Sequence, residues 1–90
     1  MLLDEEAKAV CYIYIVECGD GTLYTGWTTD LERRIAEHNA GKGARYTRGR
    51  RPVKLVYKEE FEERSLARKR EAELKKLSRE AKEELIAGSV

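Results

Sequence analysis

The stretch VCYIYIVEC, residues 10 to 18, constrains the fold more than any other part of the chain. It is rich in β-branched and aromatic residues and is apolar at both odd and even positions. A strand with one wet face alternates apolar and polar side chains, so apolar residues at both parities call for a strand covered on both sides. Layers must therefore lie above and below a sheet. GDGT, residues 19 to 22, follows with turn chemistry, Gly19 and Gly21 being able to take positive φ, and TLYTGW continues as the second strand of a hairpin. Gly26 in that strand either ends the pairing or lets another group approach closely.

TTDLERRIAEHNAG carries a capping box, Thr29 with Glu32 three residues on, then Leu31 and Ile35 on one stripe and Gly41 as the stop. This pattern predicts a helix. GKGARYTRGRR reads as a loop by its glycines and charges and is ended by Pro52. VKLVYKEEF, residues 53 to 61, predicts a third strand that alternates Val53, Leu55 and Tyr57 with polar positions, although Val56 breaks the alternation. From Glu63 to about Leu77 the spacing predicts a helix with Leu66, Ala67, Leu74 and Leu77 as apolar marks. Ser78 then caps a short helix over about 79–86. The order β-β-α-β-α-α belongs to the α+β class. With 90 residues the chain makes a single domain, 1–90, with its core in 10–78. The first nine and last three residues are expected to fray.

Formal net charge is +1, but the charges are unevenly placed. Residues 1–37 carry three basic and eight acidic side chains, residues 38–58 seven basic and none acidic, and residues 59–90 eight and nine. The central block makes a local positive field that the near-neutral total hides. Cys11 and Cys18 lie seven apart on one strand, on the order of 20 Å at about 3.3 Å per residue, and on opposite faces. A disulfide needs Cα atoms within about 7 Å, so both thiols are expected free, which suits the cytosol. One histidine and two cysteines do not make a structural zinc site. The first ten residues have acids where a secretory signal has basic residues, and Ala9 to Val16 is too short to cross a bilayer. A cytoplasmic protein without membrane contact is expected.

Tyr14 and Tyr24 stand ten residues apart across the hairpin. A tyrosine hydroxyl, with a pKa of about 10, is a weak base that needs a cation or a metal-bound water to help it; packing at the sheet rim is the ordinary alternative. Arg34 and His38 are i, i+4 neighbours on the first helix, one able to grip a phosphate and the other to shuttle a proton; a solvated arginine and a histidine at a helix carboxyl end would look the same. Glu71 projects beside Ala67 and Leu74, nearer the buried stripe than Glu73. It can be the single carboxylate with which magnesium is held beside a substrate phosphate, or the partner of Lys75 in an i, i+4 ion pair. In the basic loop, Lys42, Arg45, Arg48, Arg50 and Arg51 interleave with Tyr46 and Thr47, a mixture suited to phosphate backbones and base stacking.

These stretches together resemble the GIY-YIG nuclease domain, and most of all its small stand-alone bacterial and archaeal members. YIY at 12–14 stands for the first motif and YTG at 24–26 for the second, with Arg34 and Glu71 following, and the likeness covers residues 10 to about 78. The resemblance implies a three-stranded antiparallel sheet flanked by helices and hydrolysis of DNA phosphodiesters with Mg2+ or Mn2+, in repair or processing. It implies roles for Tyr14 or Tyr24 in deprotonating the attacking water, for Arg34 in steadying charge on the phosphate, and for Glu71 as the sole protein ligand of the ion. His38 matches a histidine near the nucleophile in some restriction enzymes of the family. Tyr12 replaces the first glycine of the motif, and Trp27 stands where excision-repair relatives have a basic residue. DNA, cut with low sequence specificity, is the expected partner, with RNA as the alternative and no small-molecule cofactor. Two other readings keep the same residues: a nucleic-acid-binding module without hydrolysis, and a protein-interaction scaffold with a vestigial site.

Overall fold

The strand predicted to be covered on both sides is the middle one of the sheet. The computed structural model describes residues 10–88. In chain order these form β1 (Cys11–Glu17), β2 (Leu23–Thr28), α1 (Leu31–Asn39), α2 (Arg45–Arg48), β3 (Lys54–Phe61), α3 (Arg64–Lys75) and α4 (Arg79–Gly88). The three strands are antiparallel in the order β2-β1-β3. Cys11 and Ile13 on one face of β1 join Ala67 and Leu74 of α3, with Trp27, Tyr57, Phe61 and Leu85 packed around them. On the other face Tyr14, Val16 and Cys18 join Val53, against Leu31 and Ile35 of α1. Each face thus has its own apolar cluster, and each cluster holds one free, buried cysteine.

The hairpin turn uses Gly21 at φ +85°. Gly19 does not use the positive φ open to it; a Cβ there would lie 2.6 Å from the carbonyl oxygen of Arg51, so its role is close contact. The α1 cap is Asp30, not Thr29: its carboxylate accepts from the Arg33 amide at 3.1 Å. Thr28 sits behind it, its hydroxyl accepting from the Asp30 amide. Asn39, at the end of α1, exchanges two hydrogen bonds with the backbone of Val53 and so ties α1 to the start of β3.

β3 departs from simple alternation. Ile15 pairs with Tyr57 and Val16 with Leu55, which leaves Val56 as an extra residue in a bulge. Leu55 therefore lies on the α1 face and Tyr57 on the α3 face, instead of both on one. The predicted loop contains the short helix α2. In α3 only Ala67 and Leu74 are buried and Leu66 is exposed; the helix stops at Lys75, so Leu77, also exposed, lies beyond the end expected for it. Ser78 caps α4 as expected, its hydroxyl accepting from the Ala81 amide at 3.1 Å. The fraying expected at residues 1–9, 89 and 90 falls outside the described residues, whereas Gly88 belongs to α4. Among the described residues no helix is long and apolar enough to cross a membrane.

Candidate active site

The hairpin register sets Tyr14 opposite Gly26 and Val16 opposite Tyr24. Paired residues share a face, so both tyrosines point to the α1 side, one pairing step apart. Tyr14 is 1% exposed, and its ring crosses over Gly26, where an added Cβ would meet the hydroxyl oxygen at 2.5 Å. Pairing continues to Thr28, so Gly26 serves close approach and does not end the strand.

The Tyr14 hydroxyl lies 2.8 Å from His38 Nε2, and His38 Nδ1 lies 2.8 Å from Thr47 Oγ1. Thr47 donates its own proton to the Ala44 carbonyl at 2.9 Å, so its oxygen accepts from Nδ1–H. That assigns the Nδ1-protonated tautomer and leaves Nε2 as the acceptor for Tyr14. His38 and Thr47 are fully buried. Gly43 covers the imidazole so closely that a Cβ there would sit 2.2 Å from Nδ1. Burial, then the charge of Arg34, lowers the His38 pKa below 6.5, with Glu37 opposing, so the ring is neutral near pH 7. Tyr24 sets its ring edgewise to His38, 5.7 Å between centroids, and stacks on Tyr46.

Burial also raises the Tyr14 pKa above 10, against the pull of Arg34, while Tyr24 and Glu71 add to the rise. Arg34 is held charged by Tyr14 and then by Glu37, to which it is paired at 3.0 Å. Glu71 is 18% exposed and pairs with its i, i+4 neighbour Lys75 at 3.2 Å. Although α3 covers the opposite face of the sheet, it packs on β2 as well as β1, and the Glu71 charge still reaches the Tyr14 hydroxyl. A single carboxylate with hard oxygen donors fits a magnesium or manganese ion completed by waters and a substrate phosphate. No group of three or more His, Cys, Asp or Glu side chains is gathered for an ion among the described residues. Tyr14, Tyr24, Arg34 and His38 thus converge, and of these it is the Tyr14 hydroxyl that feels the Glu71 charge.

The basic loop separates into two sets. Lys42, Arg45 and Arg48 are exposed, the last two on α2. Arg50 instead covers the Tyr46 ring at 4.0 Å, donates to the Tyr46 carbonyl and pairs with Asp20 at 3.1 Å. Arg51, also exposed, donates to the carbonyls of Arg48 and Asn39. Thr47 corrects the reading of this loop: the α2 turn carries its hydroxyl inward onto His38, so it is closed to any phosphate. Its hydroxyl in a basic loop had no inward signal until the turn was known. Gly43 and Arg64 were likewise not legible as parts of the site. A groove of about 310 Å³ beside it is lined by Trp27, Asp30, Arg33, Arg34, Glu37 and Arg64, among others.

A family model described as the GIY-YIG catalytic domain matches residues 10–84. A UPF0213 protein of Natronomonas pharaonis is 59% identical over 76 residues, 84% of this chain and 89% of its own. A UPF0213 protein of Staphylococcus haemolyticus is 59% identical over 75 residues, 83% of this chain and 92% of its own. Among solved structures, the UPF0213 protein of Bacillus halodurans has a TM-score of 0.57 at 51% identity, covering 87% of this chain and 83% of that one. A protein of E. faecalis has a TM-score of 0.60 at 47% identity, covering 88% and 84%.

Proposed function

This chain belongs to the GIY-YIG family, and on that premise we propose that it is a magnesium- or manganese-dependent endonuclease hydrolysing DNA phosphodiesters with low sequence specificity. The observation that supports this most is the Tyr14 hydroxyl donated to a neutral His38, beside Arg34 and within reach of the Glu71 charge. A buried phenol with a raised pKa is a poor base alone. Coupled to an imidazole it can take a proton from water as it passes its own to Nε2. Thr47 keeps Nε2 free for that proton by holding the other nitrogen's hydrogen.

Arg34 exchanges Glu37 for the scissile phosphate, where its fork of donors steadies the charge that grows as water attacks and the leaving oxygen departs. An ion at Glu71, when bound, supplies Lewis-acid stabilisation of the phosphate and leaving oxygens. Tyr24 holds the imidazole edge, and Lys42, Arg45 and Arg48 take phosphates further along the strand. Arg50 and Arg51 act through the loop they brace.

A cleavage assay over duplex, branched and single-stranded DNA and RNA, with and without Mg2+ or Mn2+, tests the proposal. Metal-dependent products are expected from the parent and none from Glu71→Ala or Arg34→Ala variants with unchanged circular dichroism. Equal cutting by parent and variants would refute it.

A further inference from the structure

The groove along the open edge of β2 has the chemistry of a nucleotide site. Its aromatic wall is Trp27, the chain's only tryptophan, half-buried and packed against the Cys11–Ile13–Ala67–Leu74 cluster. The Arg64 guanidinium lies 5.6 Å from the Trp27 ring centroid. Arg33 and Arg34 of α1 also line the groove. The acids there are engaged: Asp30 accepts from the Arg33 amide, and Glu37 pairs with Arg33 and Arg34. Three guanidinium groups against two carboxylates leave a cationic surplus.

Position relates this groove to the proposed cleavage site. Arg34 belongs to both, facing the Tyr14 hydroxyl while lining the groove. Arg64 stands seven residues before Glu71 on α3, the same face of the helix and about 10 Å away along its axis. A strand whose phosphate lies between Arg34 and Glu71 therefore leads its neighbouring nucleotide toward Trp27. Indole faces hold bases by stacking with little sequence preference, and arginines hold the attached phosphate.

Resting on the reading of the site as one that takes nucleic-acid phosphates, we propose that this groove binds one unstacked nucleotide beside the scissile linkage. The base lies on Trp27, displacing Arg64 from the ring onto the phosphate, which Arg33 also holds. A base can reach the indole only after leaving its stack, so the preferred substrate class carries unpaired nucleotides next to the cut: single strands, flaps or bulges.

The sole tryptophan makes the test direct. With EDTA present to prevent cutting, the intact protein is titrated with a fluorescein-labelled single strand and with the same sequence as a duplex, reading label anisotropy and Trp27 emission together. Expected are tighter single-strand binding, emission quenched in step with anisotropy, and affinity for the single strand weakened about tenfold or more in Trp27→Leu and Arg64→Ala but kept in Trp27→Phe. Arg64→Ala leaves the core untouched, so it decides the matter if Trp27→Leu folds poorly. Anisotropy that saturates with unchanged emission, or equal affinity for both forms, overturns the groove assignment while leaving the nuclease proposal standing. Absence of any binding overturns both. Quenching without cleavage in the metal-supplemented assay supports the groove and removes only hydrolysis.

Discussion

Tyr14 can work as proposed only while His38 keeps its proton on Nδ1, and one hydroxyl decides that. Thr47→Val removes the acceptor and leaves a buried N–H without its partner, a cost of about 1–3 kcal/mol. Denaturant unfolding should register that loss, and cleavage should slow about tenfold or more, with Thr47→Ser restoring both. Tyr14→Phe should leave circular dichroism unchanged and reduce cleavage by about a hundredfold or more, in the range of a lost acid–base group. Acidity tests the same histidine. Its folded pKa lies below 6.5 through burial and Arg34, so below about pH 6.5 the unfolded chain takes up a proton that the folded one refuses. Stability from this group is complete above that pH and falls as pH drops toward the folded value. Thermal melts from pH 7.5 to 5 should show the decline in the parent and a flatter profile in His38→Gln; parallel profiles would contradict the neutral, buried ring.

At the scale of elements, α3 is registered on the sheet by polar contacts as much as by Ala67 and Leu74. Arg70 forks onto Glu59 of β3 at 2.9 and 3.0 Å, Tyr57 donates to the same carboxylate, and Glu71 follows next in the chain. Arg70→Leu should cost about 1–2 kcal/mol, the value of charged hydrogen bonds discounted for a partly exposed pair, and should speed amide exchange in α3. Unaltered exchange there would assign the hold on α3 to its apolar residues alone. The central strand, the hairpin and the Ser78 cap were legible because each rests on local chemistry: two-faced apolar pattern, turn residues, a hydroxyl before a helix. The cap of α1 lies one residue past the position the capping-box pattern selects, because Thr28, Thr29 and Asp30 all suit the role and only the geometry chooses. Val56 announced an irregularity in β3, yet the bulge that turns Leu55 and Tyr57 to opposite faces needs the pairing with β1. The motif residues of the candidate site were legible through family resemblance. Thr47, Gly43 and Arg64 were not, because their roles depend on which neighbour lies across space and not on spacing along the chain.

For the whole molecule, a net charge of +1 says little about binding, since the acids gather in the first 37 residues and the last 32. Residues 38–58 hold seven cations, but folding divides them into those spent on the protein and those left to solvent. Arg50 is committed to Asp20 and Tyr46, and Arg51 to backbone carbonyls. Lys42, Arg45 and Arg48 point outward next to Tyr46, which the Tyr24 stack connects to His38. Each cation that neutralises a duplex phosphate contributes about 0.9 to the slope of log affinity on log salt. Changing Lys42, Arg45 and Arg48 together to alanine should therefore make that slope shallower by about 2–3 with thermal stability nearly unchanged. Arg50→Ala and Arg51→Ala should lower the melting temperature and change the slope little at temperatures where the fold persists. A slope that responds to Arg50 and Arg51 but not to the outward set would move the phosphate path away from α2 and separate it from the Tyr14–His38 pair.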